Sequence, residues 1–480
     1  MAAAFGVRWL DTAFVFATSY ATLQQKFLVA NEKLRRVAAL QRPRHPLSEI
    51  IMRPKLFLLL STLIFCVTAF AQEPAKEKPK VIAIKAGRLI DGISNTVINN
   101  AFIIIEGDKI IAVGSDVKVP AGAEVIDLKN STVMPGLIDC HTHVTGQPAN
   151  FYEDIFRKSH IDEAVTAHIY AKRTLEAGFT TIRNVGASEF VDIALRNAIN
   201  RGDIPGPRMQ CATLAIGATG GHADLNGFSP FLKFEGHSSI ADGADAIRKQ
   251  VRFQIKYGAD VIKMIATAGV LSEEESVGAP QYSLEEMKAM VDEAAMWGKK
   301  VCAHAHGTEG IKRATIAGVA SIEHGSFLDD EAIKLMKEHG TYLVADIYND
   351  DYILAEYAKM GYPEKIIEKE RKVGRTQRES FQKAVKAGVK IAYGTDAGVY
   401  PHGWNGKQFA HMVRWGLTPM EAIKSATVNS ADLLGWSDKV GSISIGKFAD
   451  IVAVDGDPLK DVTEMEKVKF VMKGGVVYKK

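Results

Sequence analysis

Cysteine is scarce: four residues in 480. That excludes a disulfide scaffold, and no two cysteines fall at the Cys-x-x-Cys spacing of a thiolate metal site. No Gly-x-Ser-x-Gly elbow marks a serine hydrolase. No glycine-rich dinucleotide fingerprint follows the first strand of the long middle region. Gly441 to Lys447 superficially resembles a phosphate loop, but Phe448 stands where Ser or Thr must meet magnesium, so that reading fails. Charge of one sign is also lacking: 59 Lys/Arg against 56 Asp/Glu gives a formal +3. With 47% hydrophobic and 24% charged residues, the composition is that of an ordinary globular chain, neither disordered nor polytopic.

The small basic excess has a local origin. Met52 to Ala71 reads as a secretory leader, with Arg53 and Lys55 first, an apolar core from Leu56 to Val67, and Ala69-Phe70-Ala71 as a cleavage signature. Its core is short of the roughly 20 residues that span a bilayer. Cys66 follows bulky residues, which argues against lipidation. Translation is expected to start at Met52, leaving 1–51 as a doubtful extension and 72–80 as a linker. The expected location is secreted or periplasmic, with no membrane span in the mature chain. Residues 1–71 hold nine Lys/Arg and three Asp/Glu, so the remainder has 50 basic and 53 acidic residues. A nucleic-acid partner has no support in that balance.

Short β-like runs open the mature chain at Val81–Lys85, Ala101–Glu106, Ile110–Val113 and Glu124–Asp127, and others close it at Asp450–Val454 and Val468–Tyr478. They predict a composite β-sandwich, 81–134 joined to 441–480. Between them eight apolar runs alternate with helical stretches. The runs are Gly136–His143, Thr180–Val185, Arg208–Leu214, Asp260–Ile265, Lys300–His304, Ser321–Glu323, Tyr342–Ala345 and Lys390–Tyr393. The helical stretches include Ile161–Ala177, Ala241–Tyr257, Leu284–Trp297 and Ser380–Ala387, and Gly178, Gly258, Gly318 and Gly388 read as helix stops. Eight β/α repeats predict a (β/α)8 TIM barrel over 135–440, an α/β fold.

In such a barrel the chemistry lies at the C-terminal ends of the strands. The first run ends in His141 and His143, two apart and on one face. Lys263 lies inside the fourth, where a lysine is costly unless paired or modified. The fifth ends at His304, with His306 two residues on, the sixth reaches His324, and Asp396 follows the eighth. These residues share one predicted face.

Here the chain resembles the amidohydrolase superfamily, most nearly its Xaa-Pro dipeptidase and imidazolonepropionase-like group. The likeness rests on PGLIDCHTH (135–143), LEAGFTTIRNVG (175–186), VIKM (261–264), CAHAHG (302–307), SIEHG (321–325), GTDAG (394–398) and GKFADIVAVDGDP (446–458). It implies two divalent metals, usually zinc. His141 and His143 would hold the first, with Asp396 completing it. Lys263, as a carbamate formed with CO2, would bridge both, and His304 and His324 would hold the second. His304 and His306 share a face, so which of them ligates stays open; His304 is favoured as ligand and His306 as substrate contact. The metals lower the pKa of a bridging water, Asp396 takes and returns its proton, and His222 polarises the scissile carbonyl. Val270 and Leu271 are candidate pocket residues. Arg183-Asn184 departs from the Arg-Asp commoner in the superfamily. The reading is a metal-dependent hydrolase of Xaa-Pro dipeptides or N-acyl amino acids, with a homo-oligomer expected. The alternatives are a cyclic-amide hydrolase of the imidazolone or hydantoin type, and a non-catalytic ligand-binding barrel.

Overall fold

The computed structural model describes residues 80–233 and 239–480. The leader, the extension and nearly all of the linker lie outside the described residues. The first strands are β1 (Val81–Leu89), β2 (Ile98–Glu106), β3 (Lys109–Gly114) and β4 (Glu124–Pro135). Seven parallel-sheet strands follow: β5 (Leu137–Thr142), β6 (Phe179–Asn184), β7 (Arg208–Cys211), β8 (Ile216–Gly217), β9 (Ser239–Ile240), β10 (Val261–Ile265) and β11 (Lys300–Ala305). β12 (Ser321–His324) and β13 (Tyr342–Val344) complete that set, and β14 (Ile451–Val454), β15 (Phe470–Lys473) and β16 (Val476–Lys479) close the chain.

The two ends of the described chain meet in one seven-stranded sheet, ordered β16-β15-β14-β4-β1-β2-β3. It is composite, as the sequence predicts. It is one continuous hydrogen-bonded sheet where a sandwich of two was expected, because β4 joins both halves: it runs parallel to β1 and antiparallel to β14. β4 reaches twelve residues, well past Asp127. The polar run Lys129-Asn130-Ser131 stays in the strand and forms an irregularity in its register with β1. The sheet buries Ile84, Ile103, Ile105, Val133, Ile451 and Phe470 in one cluster.

The middle region gives two parallel sheets, β5-β6-β7 and β13-β12-β11-β10-β8-β9. The segment 390–397 runs between them. Leu343 N donates to Lys390 O at 2.8 Å on one side, and Cys140 N donates to Tyr393 O at 2.8 Å on the other. This segment, predicted as the eighth strand, makes isolated bridges only. Its ladder groups are diverted: Tyr393 N bonds Ser425 O and Ser430 Oγ, and Asn429 Nδ2 bonds Ile391 O. At the other seam Asp260 N donates to Cys211 O at 2.8 Å. The predicted strand Arg208–Leu214 stops at Cys211 because Thr213 turns left-handed (φ 65°) and gives its N–H to Asp192.

The helices pack outside these strands. His160–Glu176, Ala244–Lys256 and Leu284–Met296 match the predicted stretches within a few residues. Ser283 opens the last of these with a capping box to Glu286. The predicted Ser380–Ala387 is the end of a much longer helix, Glu364–Ala387. Its buried stripe includes Lys369, Glu370 and Gln377, which blurs the apolar period that marks helices in sequence. Gly178, Gly258, Gly318 and Gly388 all take positive φ, between 78° and 108°. Among the described residues no helix is long and apolar enough to cross a membrane.

Candidate metal centre and active site

The strand-end residues converge. His141 closes on His324 with ring centroids 5.0 Å apart, and on His143 at 5.5 Å. His304 sits 4.6 Å from His324 and 4.7 Å from His306, and the His306 and His324 rings stack at 4.7 Å. Asp396 Oδ1 lies 3.1 Å from His143 Nε2 and 3.3 Å from His141 Nε2. Two groups offer ligand atoms within 4.8 Å of one another: His141, His324 and Asp396, and His304, His306 and His324. His222 joins from the loop after β8, its ring stacked on His304 at 4.2 Å. Gly269 lets its loop approach so closely that a Cβ there would fall 2.4 Å from the His222 ring.

The backbone is strained where it presents two of these groups. His324 and Asp396 take left-handed φ values of 69° and 55°, each costing about 1–3 kcal/mol and clustering at functional sites in general. Asp396 is held there by its N–H to His141 O (2.7 Å).

A second layer of polar groups fixes the rings. Glu323 Oε2 lies 2.9 Å from His141 Nδ1, and Oε1 pairs with Arg183 Nη2 at 2.8 Å. Arg183 also donates to Cys140 O (2.5 Å) and Ser321 Oγ (3.1 Å). It is therefore buried and committed to the protein. Asn184 accepts from Val144 N at 2.6 Å, holding the loop beyond His143. Asp346 Oδ1 lies 2.9 Å from His324 Nδ1, and His306 Nδ1 meets Ser326 Oγ at 2.7 Å. His222 Nδ1 meets Ser272 Oγ at 2.6 Å. Asp139 gathers the His141 and Thr395 amides, the Thr395 hydroxyl and the Asn405 amide.

Sequence reasoning passed over Asp346 and Asp139 as site groups. The strand-end rule that found Asp396 would have found Asp346, which follows Tyr342–Ala345. Asp139 had no such signal, since its partners are backbone N–H groups and two side chains more than 250 residues away. Val270 is buried against Ile366 and Val373, and Leu271 is half-buried in the same cluster. His402 is buried and bonds Gly146 O at 2.7 Å. Cys140, Cys211 and Cys302 are buried free thiols, and burial pushes Cys140 up to about 12.

The charges are unevenly disposed. Burial raises Asp396, but the His141 and His143 imidazoles outweigh it and hold the carboxyl well below its usual range. Burial and Lys263 lower His141, but Asp396 and Glu323 outweigh them and leave it raised. Burial and neighbouring charge hold His304 and His306 well below the usual imidazole range, and burial and His324 push His222 down to about 3. Those three rings are neutral near pH 7 and free to ligate or donate.

Two observations test whether the residues suit divalent metals. His304 Nε2 is buried without a hydrogen-bond partner. Lys263 is 3% exposed, and among the described residues nothing pairs with or hydrogen-bonds its amine. A buried orphan nitrogen and a buried unpaired lysine beside four histidines fit a site built for cations and an anionic lysine adduct. The donor set of imidazoles and one carboxylate is that of zinc or a similar ion.

The sequence profile of the amidohydrolase family matches residues 132–478. The ochratoxinase of Aspergillus niger is 35% identical over 431 residues, covering 84% of this chain and 88% of that protein. The imidazolonepropionase of Fusobacterium nucleatum is 25% identical over 395 residues, 74% of this chain and 85% of that one. The crystal structure of a Xaa-Pro dipeptidase with methionine bound in its active site superposes with a TM-score of 0.80 at 41% identity, covering 84% of this chain and all of that one.

Proposed function

This chain belongs to the amidohydrolase family and is a hydrolase acting on carbon–nitrogen bonds, and from that premise we propose that it cleaves the amide bond of Xaa-Pro dipeptides or N-acyl amino acids. The observation that carries the site assignment is the convergence of His141, His143, His304, His324 and Asp396 around unpaired Lys263. The likeness to a Xaa-Pro dipeptidase supports the substrate class.

His141, His143 and Asp396 would hold one divalent cation and His304 and His324 the other, with Lys263 as a carbamate between them; His306, tied to Ser326, is left to meet substrate. When bound, zinc ions supply Lewis acidity and make water a nucleophile near neutral pH. Asp396, ionised and acceptor-only, orients the attacking water and takes its proton at a carboxylate oxygen. The same carboxyl then gives that proton to the departing nitrogen. Neutral His222 donates from Nε2 to the carbonyl oxygen as negative charge develops, while Ser272 fixes its other nitrogen. Glu323 and Asp346 keep His141 and His324 oriented.

A closed (β/α)8 barrel is part of this proposal, with 390–397 as its eighth stave. So is export, on the strength of the leader at 52–71; sequencing the mature N-terminus tests it, and a start near Met1 would contradict it. A cyclic-amide hydrolase is the second reading, favoured by the likeness to imidazolonepropionase. A substrate panel on zinc-loaded enzyme separates the two. The proposal expects release of free proline or another amino acid, and ring opening alone would favour the second reading.

A further inference from the structure

The helix Glu364–Ala387 leans its buried stripe on the site from above. Gln377 Nε2 donates to Asp346 Oδ1 at 2.7 Å and to the His324 carbonyl at 3.4 Å. One turn earlier Gly374 abuts Asp350, where a Cβ would fall 2.2 Å from the carboxyl carbon. On the other flank Lys369 donates to the carbonyls of Gly269 (2.9 Å), Ser272 (2.8 Å) and Glu274 (2.9 Å). These seams fasten the helix to the Asp346–Asp350 segment on one side and to the loop bearing Ser272 on the other. Glu370 stands on this stripe, four residues before Gly374 and seven before Gln377, which is about 10 Å along the helix from the His324 contact.

Glu370 is 4% exposed, yet among the described residues its carboxyl has no hydrogen bond and no ion pair. Its acidic neighbours are committed. Asp350 pairs with Arg378 at 3.1 Å. Asp346 serves His324, Gln377 and Asn349. Asp396 serves His141 and His143 and accepts from Asn349. Burial, then Asp350 and Asp346, with Asp396 adding to them, push the Glu370 carboxyl up to about 8 against the opposing charge of Arg378, a guanidinium already paired with Asp350 and Asp351. Burying a carboxyl among more acids than cations, with no hydrogen bond or ion pair of its own, is costly, and that cost is relieved when a further cation arrives. A divalent metal would need several more oxygen ligands, which the committed neighbours do not offer. An ammonium needs one negative charge and a few acceptors.

We propose that Glu370 is a specificity-determining residue that receives the ammonium group of the substrate, so that the preferred substrates are dipeptides with a free α-amino group and not amino acids carrying a neutral acyl end. The α-ammonium of a dipeptide is one carbon from the scissile carbonyl, and Glu370 is close enough to Asp346 and Asp396 to feel their charge. The substrate's identity rests on the amide-hydrolase reading above; the ammonium contact does not.

The test measures binding by calorimetry to the Asp396→Asn protein, with and without Glu370→Gln. The ligands are alanyl-proline, N-methyl-alanyl-proline, which keeps the charge, and N-acetyl-alanyl-proline, which loses it. The two charged ligands are expected to bind about ten- to a hundred-fold more tightly than the acetylated one, and Glu370→Gln to bring that ratio near one. Equal binding of all three, rejection of the N-methyl ligand along with the acetyl one, or a preference that survives Glu370→Gln would each overturn the proposal. Comparing hydrolysis of alanyl-proline and its acetyl derivative by the unmodified enzyme supplies a readout that needs no variant. If the enzyme cleaves no amide at all, the functional reading fails while the binding ratio still decides the role of Glu370.

Discussion

Arg183→Met isolates what the buried layer beneath the site contributes. Arg183 lies in β6, reaches the Cys140 carbonyl in β5, and pairs with Glu323 in β12. Arg183 is 2% exposed and Glu323 is fully buried. Removing one partner of such a pair leaves an uncompensated charge and costs about 3–5 kcal/mol. Glu323→Gln on the same background removes that charge, so the double variant is expected to recover at least about 2 kcal/mol. Guanidinium unfolding of metal-free protein, followed by tryptophan fluorescence, reads this without a contribution from lost metal. Burial raises the Glu323 carboxyl, but Arg183 and His141 outweigh it and hold it well below the usual range. The pair's stability is therefore present above about pH 4 and lost as acid protonates the folded-state carboxyl. Metal affinity is a separate readout. The double variant loses the carboxylate that orients His141, so it is expected to bind zinc about 10–100-fold more weakly than the parent. A single-variant loss under about 1 kcal/mol, or a double variant no more stable than the single, would refute this reasoning.

His222→Asn is expected to keep its metals while kcat falls by about 10²–10³-fold, read by steady-state kinetics beside metal analysis. Asp396→Asn should retain bound metal, through the histidines and Lys263, yet lose turnover; an unimpaired rate would remove its role as the proton carrier. Glu370→Gln should change stability with pH. A raised carboxyl stabilises the folded state below its unfolded value near pH 4.3 and loses that contribution as pH rises through about 8. The variant should thus match the parent near pH 5 and exceed it at pH 9 by on the order of 1–3 kcal/mol. Melting curves at the two pH values check this.

The candidate cluster was legible because His141, His143, His304, His324 and Asp396 end or follow short apolar runs and Lys263 interrupts one, and position along a strand survives in sequence as a spacing. The groups that hold the cluster were less legible. Arg183 reads only as half of an Arg183-Asn184 pair that departs from the superfamily's pattern until its partner Glu323, 140 residues away, is beside it. Lys369, Glu370 and Gln377 hide the start of their helix, since a buried polar stripe carries no apolar period. β4 runs past Asp127 through Lys129 to Ser131, a polar stretch that pairs with neither neighbour and interrupts the register with β1 before pairing resumes at Thr132. Periodicity reports which residues avoid water. It is silent on polar residues buried by partners distant in sequence.

The central claim is that Lys263 and its surrounding imidazoles bind the metals that make amide cleavage possible. Metal content and proline release from a Xaa-Pro dipeptide, measured together on the parent enzyme and on Lys263→Ala, test it most directly. The account predicts two metal equivalents and proline release in the parent, with most of both lost in the variant. Undiminished cleavage by Lys263→Ala, or by parent enzyme stripped of metal, would contradict it.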